Sequence, residues 1–283
     1  MEEASGTAIL NQTAHRPYPV PLRPWRLRQR WNDLLFAHWP IPPATMAALL
    51  PRGLELDTFD GSAWAGVVPF WMDQVATRVA GNLSLTVPST GSFNELNLRT
   101  YVRSPRTGKR GVFFFALDCD SLLSVIGARV LFHLPYYPAL MQHSVLRSAN
   151  PGRPANPDRS ANPGAAPAGD TIVYRSRRIL DWTRPTVRFD ADYRPSAPPG
   201  ERSAPGTLEH FLTERYCLFT PFRGRILRGD IHHLPWPLQP AEAEFRRNTL
   251  PSAYGLAVNG SKPVLHYAKS LEVFLWSLQP DGR

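Results

Sequence analysis

The sequence predicts a mainly β fold with a few short helices, in which many short strands close, or nearly close, around one core. Three observations carry this expectation. Thirty prolines, about twice ordinary usage, divide the chain into short elements, because proline lacks the N–H that a helix interior or a strand ladder needs. Several apolar runs show period-two alternation and are separated by turn-forming clusters. Helical spacing is sustained in only a few segments. At 283 residues, 43% hydrophobic and 11% aromatic, the chain can fill one large barrel core.

Residues 1–24 are polar and proline-rich and are expected as a loosely held arm. A single domain is expected over 25–278, followed by a short tail at 279–283. Trp31, Leu34, Leu35, Phe36 and Trp39 form its first dense apolar run. Pro42 and Pro43 suit the first turn of a short helix, Met46, Leu49 and Leu50 give that helix an apolar face, and Pro51 stops it. The stretch Trp64–Met72 reads as a buried strand with Pro69 at an edge or bend. FNELNLRTYVR (Phe93–Arg103) alternates cleanly, with Leu96, Leu98, Thr100 and Val102 on one face and Glu95, Asn97, Arg99 and Tyr101 on the other. SPRTGKRG (Ser104–Gly111) is turn chemistry, and Val112–Leu117 supplies the hairpin partner. Asp120 or Ser121 can cap a helix carrying Leu122, Val125, Ile126 and Val130, which Pro135 ends. Residues 148–169, with three Asn-Pro pairs, read as a low-complexity insertion between strands. Strands are expected at Ile172–Leu180, Thr186–Tyr193, Leu218–Phe222, Gly229–Leu234 and Leu271–Leu278, and one helix at Thr207–Tyr216 with Thr207 as its cap.

Composition narrows the function classes. No run of about 18 apolar residues is present, so no membrane span is expected. The first residues include two glutamates and lack the apolar segment of a signal peptide, which suggests a cytoplasmic location. Cys119 and Cys217 alone make no disulfide framework. The net charge of +9 is mostly scattered arginine, since only Lys109, Lys262 and Lys269 are lysines. Arg23, Arg26, Arg28 and Arg30 interleave with Trp25 and Trp31, a pattern that can meet phosphates and stack bases. Without a recognised fold motif, nucleic acid is not the expected partner.

Two constellations could carry chemistry. Glu95, Asn97 and Arg99 project together from one strand face. Inside a barrel they could bind a small carboxylate or carbonyl and move a proton, whereas on the outside they would be the wet face of a half-buried strand, which spacing alone favours. His133-Leu134-Pro135-Tyr136-Tyr137-Pro138 brackets two tyrosines with prolines; their hydroxyls can donate to an oxyanion or simply pack at a rim. His232 and His233 are adjacent and would point to opposite faces, and no metal-binding spacing occurs, so no metal is expected. No glycine-rich phosphate loop, dinucleotide fingerprint or nucleophile elbow is present, so no cofactor is expected.

The order Trp31–Trp39, ALLPRGLEL, Ala65–Met72, FNELNLRTYV and GARVLFHLPYY, closing with FLTERY and Leu265–Trp276, resembles the YqjF-like proteins, the domain of unknown function 2071. That family belongs to the acetoacetate-decarboxylase-like superfamily. The resemblance covers most of residues 25–278 and implies an acetoacetate-decarboxylase-like, cone-shaped β-barrel with an internal pocket for a small-molecule ligand. It places Glu95 in that pocket with Tyr136 and Tyr137 as the other catalytic candidates. Asn97, Arg99 and His133 become ligand-binding candidates, and Arg30, or else Arg28, matches a pocket arginine preceding the first strand. The decarboxylases follow a Gly-Arg-Glu segment with Pro-Lys-Lys, whose lysine forms the Schiff base. Here Gly127-Ala128-Arg129 leads to Pro135-Tyr136-Tyr137. A phenol forms no iminium, so decarboxylation by that route is expected to be absent. Decarboxylase relatives assemble, which leaves a homo-oligomer open, but no surface in the sequence identifies an interface. A non-catalytic carrier or interaction module is the alternative.

Overall fold

A computed structural model describes residues 8–80, 83–85, 91–147, 170–179, 186–258 and 260–282. Fourteen strands join one sheet system. They are β1 (Leu27–Ile41), β2 (Glu55–Leu56), β3 (Ala63–Ala80), β4 (Leu83–Leu85), β5 (Phe93–Arg103), β6 (Arg110–Cys119), β7 (Tyr136–Leu146), β8 (Thr171–Arg178), β9 (Arg188–Pro195), β10 (Cys217–Phe222), β11 (Arg225–His232), β12 (Gln239–Asn248), β13 (Val264–Leu275) and β14 (Gln279–Pro280). Between the strands lie α1 (Pro43–Ala47), α2 (Leu122–Phe132) and α3 (Leu208–Thr213). The expected low-complexity insertion at 148–169 lies outside the described residues.

Nine strands close into a barrel in the order β6-β7-β8-β9-β12-β13-β1-β3-β5, with β5 returning to β6. Two of its strands fork. At one end β6 pairs with β7 through Leu117, Asp118 and Cys119, and at the other it pairs with β10 through Val112 and Phe113. Likewise, β13 meets β12 at His266 and Tyr267 and meets β11 at Phe274 and Leu275. The five strands β13, β1, β3, β5 and β6 therefore belong to a second ring closed by β10 and β11, and both of their faces are covered.

That sharing decides the polarity of β5. Leu96, Leu98 and Val102 enter the large apolar core with Leu35, Tyr174 and Phe189. Glu95, Asn97 and Arg99 point to the opposite side and are only 4%, 4% and 7% exposed. The alternation predicted for Phe93–Arg103 is present, but neither face is wet. A strand buried on both sides need not be apolar on both sides, provided that its polar face meets a cavity with partners.

Two bulges keep long strands in phase with this double burial. Asp33 on β1 and Gln74 on β3 adopt left-handed φ values of 50° and 51°, and the β1–β3 register shifts beside each. One extra residue restores the apolar phase as the strand bends. Trp31 and then Leu34 line the second ring on β1, as do Met72 and then Val75 on β3. The same irregularity accommodates Pro69, which lies inside β3 between β1 and β5 rather than at an edge. The β1–β3 ladder is interrupted between Asn32↔Trp71 and Ala37↔Val67, so the missing proline N–H falls where no partner strand awaits it.

The helix caps match expectation: Ser121 Oγ accepts from Ser124 N, and Thr207 Oγ1 accepts from His210 N, each at 3.3 Å. The N-terminal segment differs. Residues 8–24, expected as a loose arm, dock on the end of the second ring. Arg16, 9% exposed, donates to the Ile231 carbonyl at 2.6 Å and lies 3.1 Å from the ring nitrogen of His232. A guanidinium buried among carbonyls anchors the segment far more firmly than its composition suggests. Within the tail, Gln279 and Pro280 add β14 to β11.

Candidate functional site

Between the shared sheet and the layer made by α2, β10 and β11 lies a cavity of about 330 Å³. Glu95, Asn97 and Arg99 of β5 and Tyr136 of β7 form its polar end, and the remaining wall is mostly aliphatic and aromatic. Alternation on β5 delivers the first three, and the parallel pairing of β7 with β6 sets Tyr136 opposite Leu117. The Tyr136 hydroxyl donates to Glu95 Oε2 at 2.7 Å, and the Asn97 side chain also bonds to that carboxyl.

Burial pushes the Glu95 carboxyl up to about 7; the hydrogen bonds from Tyr136 and Asn97 pull the other way, and the charge of Asp118 adds to the rise. Such a group exchanges protons readily near neutrality. Tyr136 is raised well above its ordinary value by burial and by Glu95 itself, so it stays a donor.

Arg99 is the second unusual group. Its Nη2 donates to the Leu212 carbonyl at 3.0 Å and lies 3.4 Å from the Tyr101 hydroxyl. It makes no ion pair among the described residues, and its Nε and the Asn97 Oδ1 have no partner there. The carbonyl comes from α3, so the FLTERY segment holds Arg99 from outside the cavity. Behind it, the Tyr101 hydroxyl donates to the same carbonyl at 2.7 Å and lies 2.6 Å from His38 Nε2. Enclosed between this hydroxyl and the Arg99 guanidinium, the His38 ring is held in its neutral form. Burial, and then the Arg99 charge, lower its pKa well below the ordinary value, in agreement.

The structure thus brings together Glu95, Asn97, Arg99 and Tyr136, and leaves three expected residues elsewhere. Tyr137 follows Tyr136 on a strand and faces the other way, with its ring 4.0 Å from the Arg178 guanidinium, which is itself paired with Asp118 at 2.7 Å. Arg30 lies between the cavity-facing Gln29 and Trp31 and turns out to Asp73, with Nε 2.7 Å from Oδ1; Arg28 pairs with Glu272. His133 ends α2 in a left-handed conformation, φ 48°, and stacks on Phe222 with ring centroids 3.7 Å apart. His38, Tyr101 and the Leu212 carbonyl were not singled out from sequence. Tyr101 continues the 95–97–99 face by one step, which was the available signal; the other two join it only through folding.

No lysine lines the cavity. Lys269 Nζ lies 2.8 Å from Asp33 Oδ1, Lys109 is 3.8 Å from Asp230, and Lys262 is exposed. The arginines that suggested nucleic-acid contact are also engaged: Arg23 with Asp230, Arg28 with Glu272, Arg30 with Asp73, and Arg26 with the Arg78 carbonyl. No helix among the described residues is long and apolar enough to cross a membrane.

Comparison with known proteins agrees with this architecture. The family model DUF2071, described as an uncharacterized conserved protein, matches residues 28–272. The uncharacterized protein YqjF of Bacillus subtilis (strain 168) is 41% identical over 260 residues, covering 92% of this chain and 94% of that protein. Among solved structures, the enduracididine biosynthesis enzyme MppR superposes with a TM-score of 0.57 at 16% identity, covering 92% of this chain and 89% of its own. An acetoacetate decarboxylase-like enzyme from Sphingomonas wittichii RW1 gives 0.57 at 16% identity, with 94% and 98% covered. At that identity the two enzymes share the fold with this chain and no more is carried over. With its nine-stranded acetoacetate-decarboxylase-like barrel and a family match spanning most of its length, this chain belongs to the YqjF-like DUF2071 family.

Proposed function

We propose that the cavity binds a small organic acid bearing a carbonyl group and exchanges a proton with it, without a lysine imine. One observation carries the reading: a buried arginine with no carboxylate partner among the described residues shares a cavity with a glutamate whose pKa is pushed up to about 7. An uncompensated guanidinium in an apolar setting is costly, and a ligand carboxylate would offset that cost. The shared fold adds support, since one structure of the fold neighbour MppR is described as complexed with pyruvate, an acid of this class.

The residues assign roles by position. Arg99 and Asn97 hold the carboxylate. Glu95 removes a proton from the carbon beside the carbonyl, Tyr136 donates to the enolate oxygen that forms, and the same proton returns or exchanges with solvent. No imine nitrogen is available, so loss of carbon dioxide through an iminium is not expected.

Deuterium wash-in at the carbon beside the carbonyl of 2-oxobutanoate, followed by NMR, tests this reading. Glu95→Gln should abolish exchange in a folded protein, and Arg99→Gln should abolish binding. Unchanged exchange in Glu95→Gln would remove the acid–base role, leaving a ligand carrier. Borohydride with acetoacetate should give no covalent adduct, and an added mass on any lysine would overturn the imine-free part.

A further inference from the structure

The cavity also specifies what kind of acid fits, a step that rests on the reading above. Its charged groups are confined to one end, where Glu95, Asn97 and Arg99 are almost fully buried. The other end is bounded by the half-buried Leu27 and Leu275 and by Leu123 and Leu131 of α2, which are 54% and 56% exposed although both line the cavity. Between the two ends the wall is mostly apolar, with Trp31, Phe70, Met72, Val75 and Phe93 prominent; Gln29, Thr77 and Ser124 add neutral polar groups, and no further charged side chain lines it.

Gly127 is an independent sign of reserved space. It sits inside α2 and lines the cavity, where glycine weakens a helix relative to alanine. A Cβ there would meet nothing within 4 Å, so no protein contact requires the small residue. Because Gly127 also lines the cavity, a larger side chain here would have open space to enter.

We infer that the ligand is an amphipathic monocarboxylate, a keto acid whose head sits on Arg99 and whose aliphatic or aryl tail runs along the apolar wall to emerge beneath α2. A second carboxylate on the tail would be buried without a partner, so dicarboxylates are disfavoured. Each methylene of tail leaves water for an apolar wall, which strengthens binding about three- to fourfold until the tail passes Leu123 and Leu131.

Calorimetric titration of the full chain with pyruvate, 2-oxohexanoate, 2-oxooctanoate, 2-oxodecanoate, 2-oxoglutarate and octanol tests the inference. Affinity should climb along the monocarboxylates, 2-oxoglutarate should bind no better than pyruvate, and octanol should bind far more weakly than 2-oxooctanoate. Gly127→Leu should lower the affinity ratio of 2-oxodecanoate to pyruvate by about tenfold. If the acids bind with no gain from length, or 2-oxoglutarate binds best, the tail assignment falls while the acid site stands. If octanol matches 2-oxooctanoate, or no acid binds, the Arg99 reading itself falls and this inference with it.

Discussion

Two buried carboxylates, Asp33 and Glu95, lie on opposite sides of the same shared sheet, and they are held in opposite ways. Asp33, 3% exposed, accepts from the Tyr267 hydroxyl at 2.6 Å, Lys269 Nζ at 2.8 Å and Trp71 Nε1 at 2.9 Å, with His143 Nε2 3.4 Å away. Its own carbonyl accepts from Tyr193 at 2.6 Å. Burial alone would raise its pKa, yet the bonds from His143, Lys269 and Tyr267 outweigh burial and hold it well below the ordinary value. Glu95, equally buried, has bonds from Tyr136 and Asn97 and, among the described residues, no cation paired to it, so burial prevails and its pKa rises to about 7. Burial does not decide whether a carboxylate is structural or reactive; the number of donors and the presence of a paired cation do.

The contrast can be broken most sharply at Asp33. Asp33→Ala strands a lysine and three further donors, and places a side chain less tolerant of left-handed backbone where φ is 50°. A loss of about 4 kcal/mol in denaturant unfolding is expected. Asp33→Asn, which tolerates that backbone, should lose about half as much.

Glu95→Gln should act in the other direction. With a folded pKa above the unfolded one, Glu95 binds its proton more tightly in the native state. It therefore costs the wild type stability progressively as pH rises from about 4.5 to about 7. The variant should be indistinguishable from wild type in acid and up to about 3 kcal/mol more stable at alkaline pH. Thermal melts across pH check this, and a variant less stable at alkaline pH would contradict the raised pKa. Asp33 has the opposite signature: its contribution is complete above pH 3.8 and is lost only below it.

Smaller changes sharpen the same contrast. Trp71→Phe removes one donor from Asp33 and should cost about 1.5 kcal/mol. Tyr136→Phe removes a donor from Glu95 and should move the midpoint of the proton-exchange profile upward by about one pH unit, read from deuterium wash-in against pH. A midpoint that stays put would mean that the hydroxyl does not tune the carboxyl.

Much of the frame was legible because it rests on local chemistry. The β5–β6 hairpin follows from alternation and the SPRTGKRG turn, and Ser121 and Thr207 cap their helices as side-chain oxygens at such positions do. β7 and β12 were not anticipated. In β7, Pro138 and the mixture of Leu140, Met141, Gln142 and His143 blur the period. In β12 the inward residues Ala241 and Ala243 are too weakly apolar to stand out between Glu242 and Glu244. The site divides similarly. Glu95, Asn97 and Arg99 share a face because strands alternate, and that much was readable. Arg30 missed the cavity by one residue because Gln29 and Trp31 occupy the inward phase, and a bulge such as that at Asp33 then resets it.

By itself the sequence determined which residues share a strand face, where the helices begin, and that tyrosines rather than lysines come directly after Pro135, because backbone period, capping and side-chain identity are properties of neighbours along the chain. Only the tertiary structure decided that the polar face of β5 looks into a partly enclosed cavity rather than bulk water, that the Leu212 carbonyl reaches Arg99, and that Glu95 is left with too few donors to stay acidic. Those outcomes depend on segments far apart in sequence meeting at the fork of two rings, and on how much water that meeting excludes.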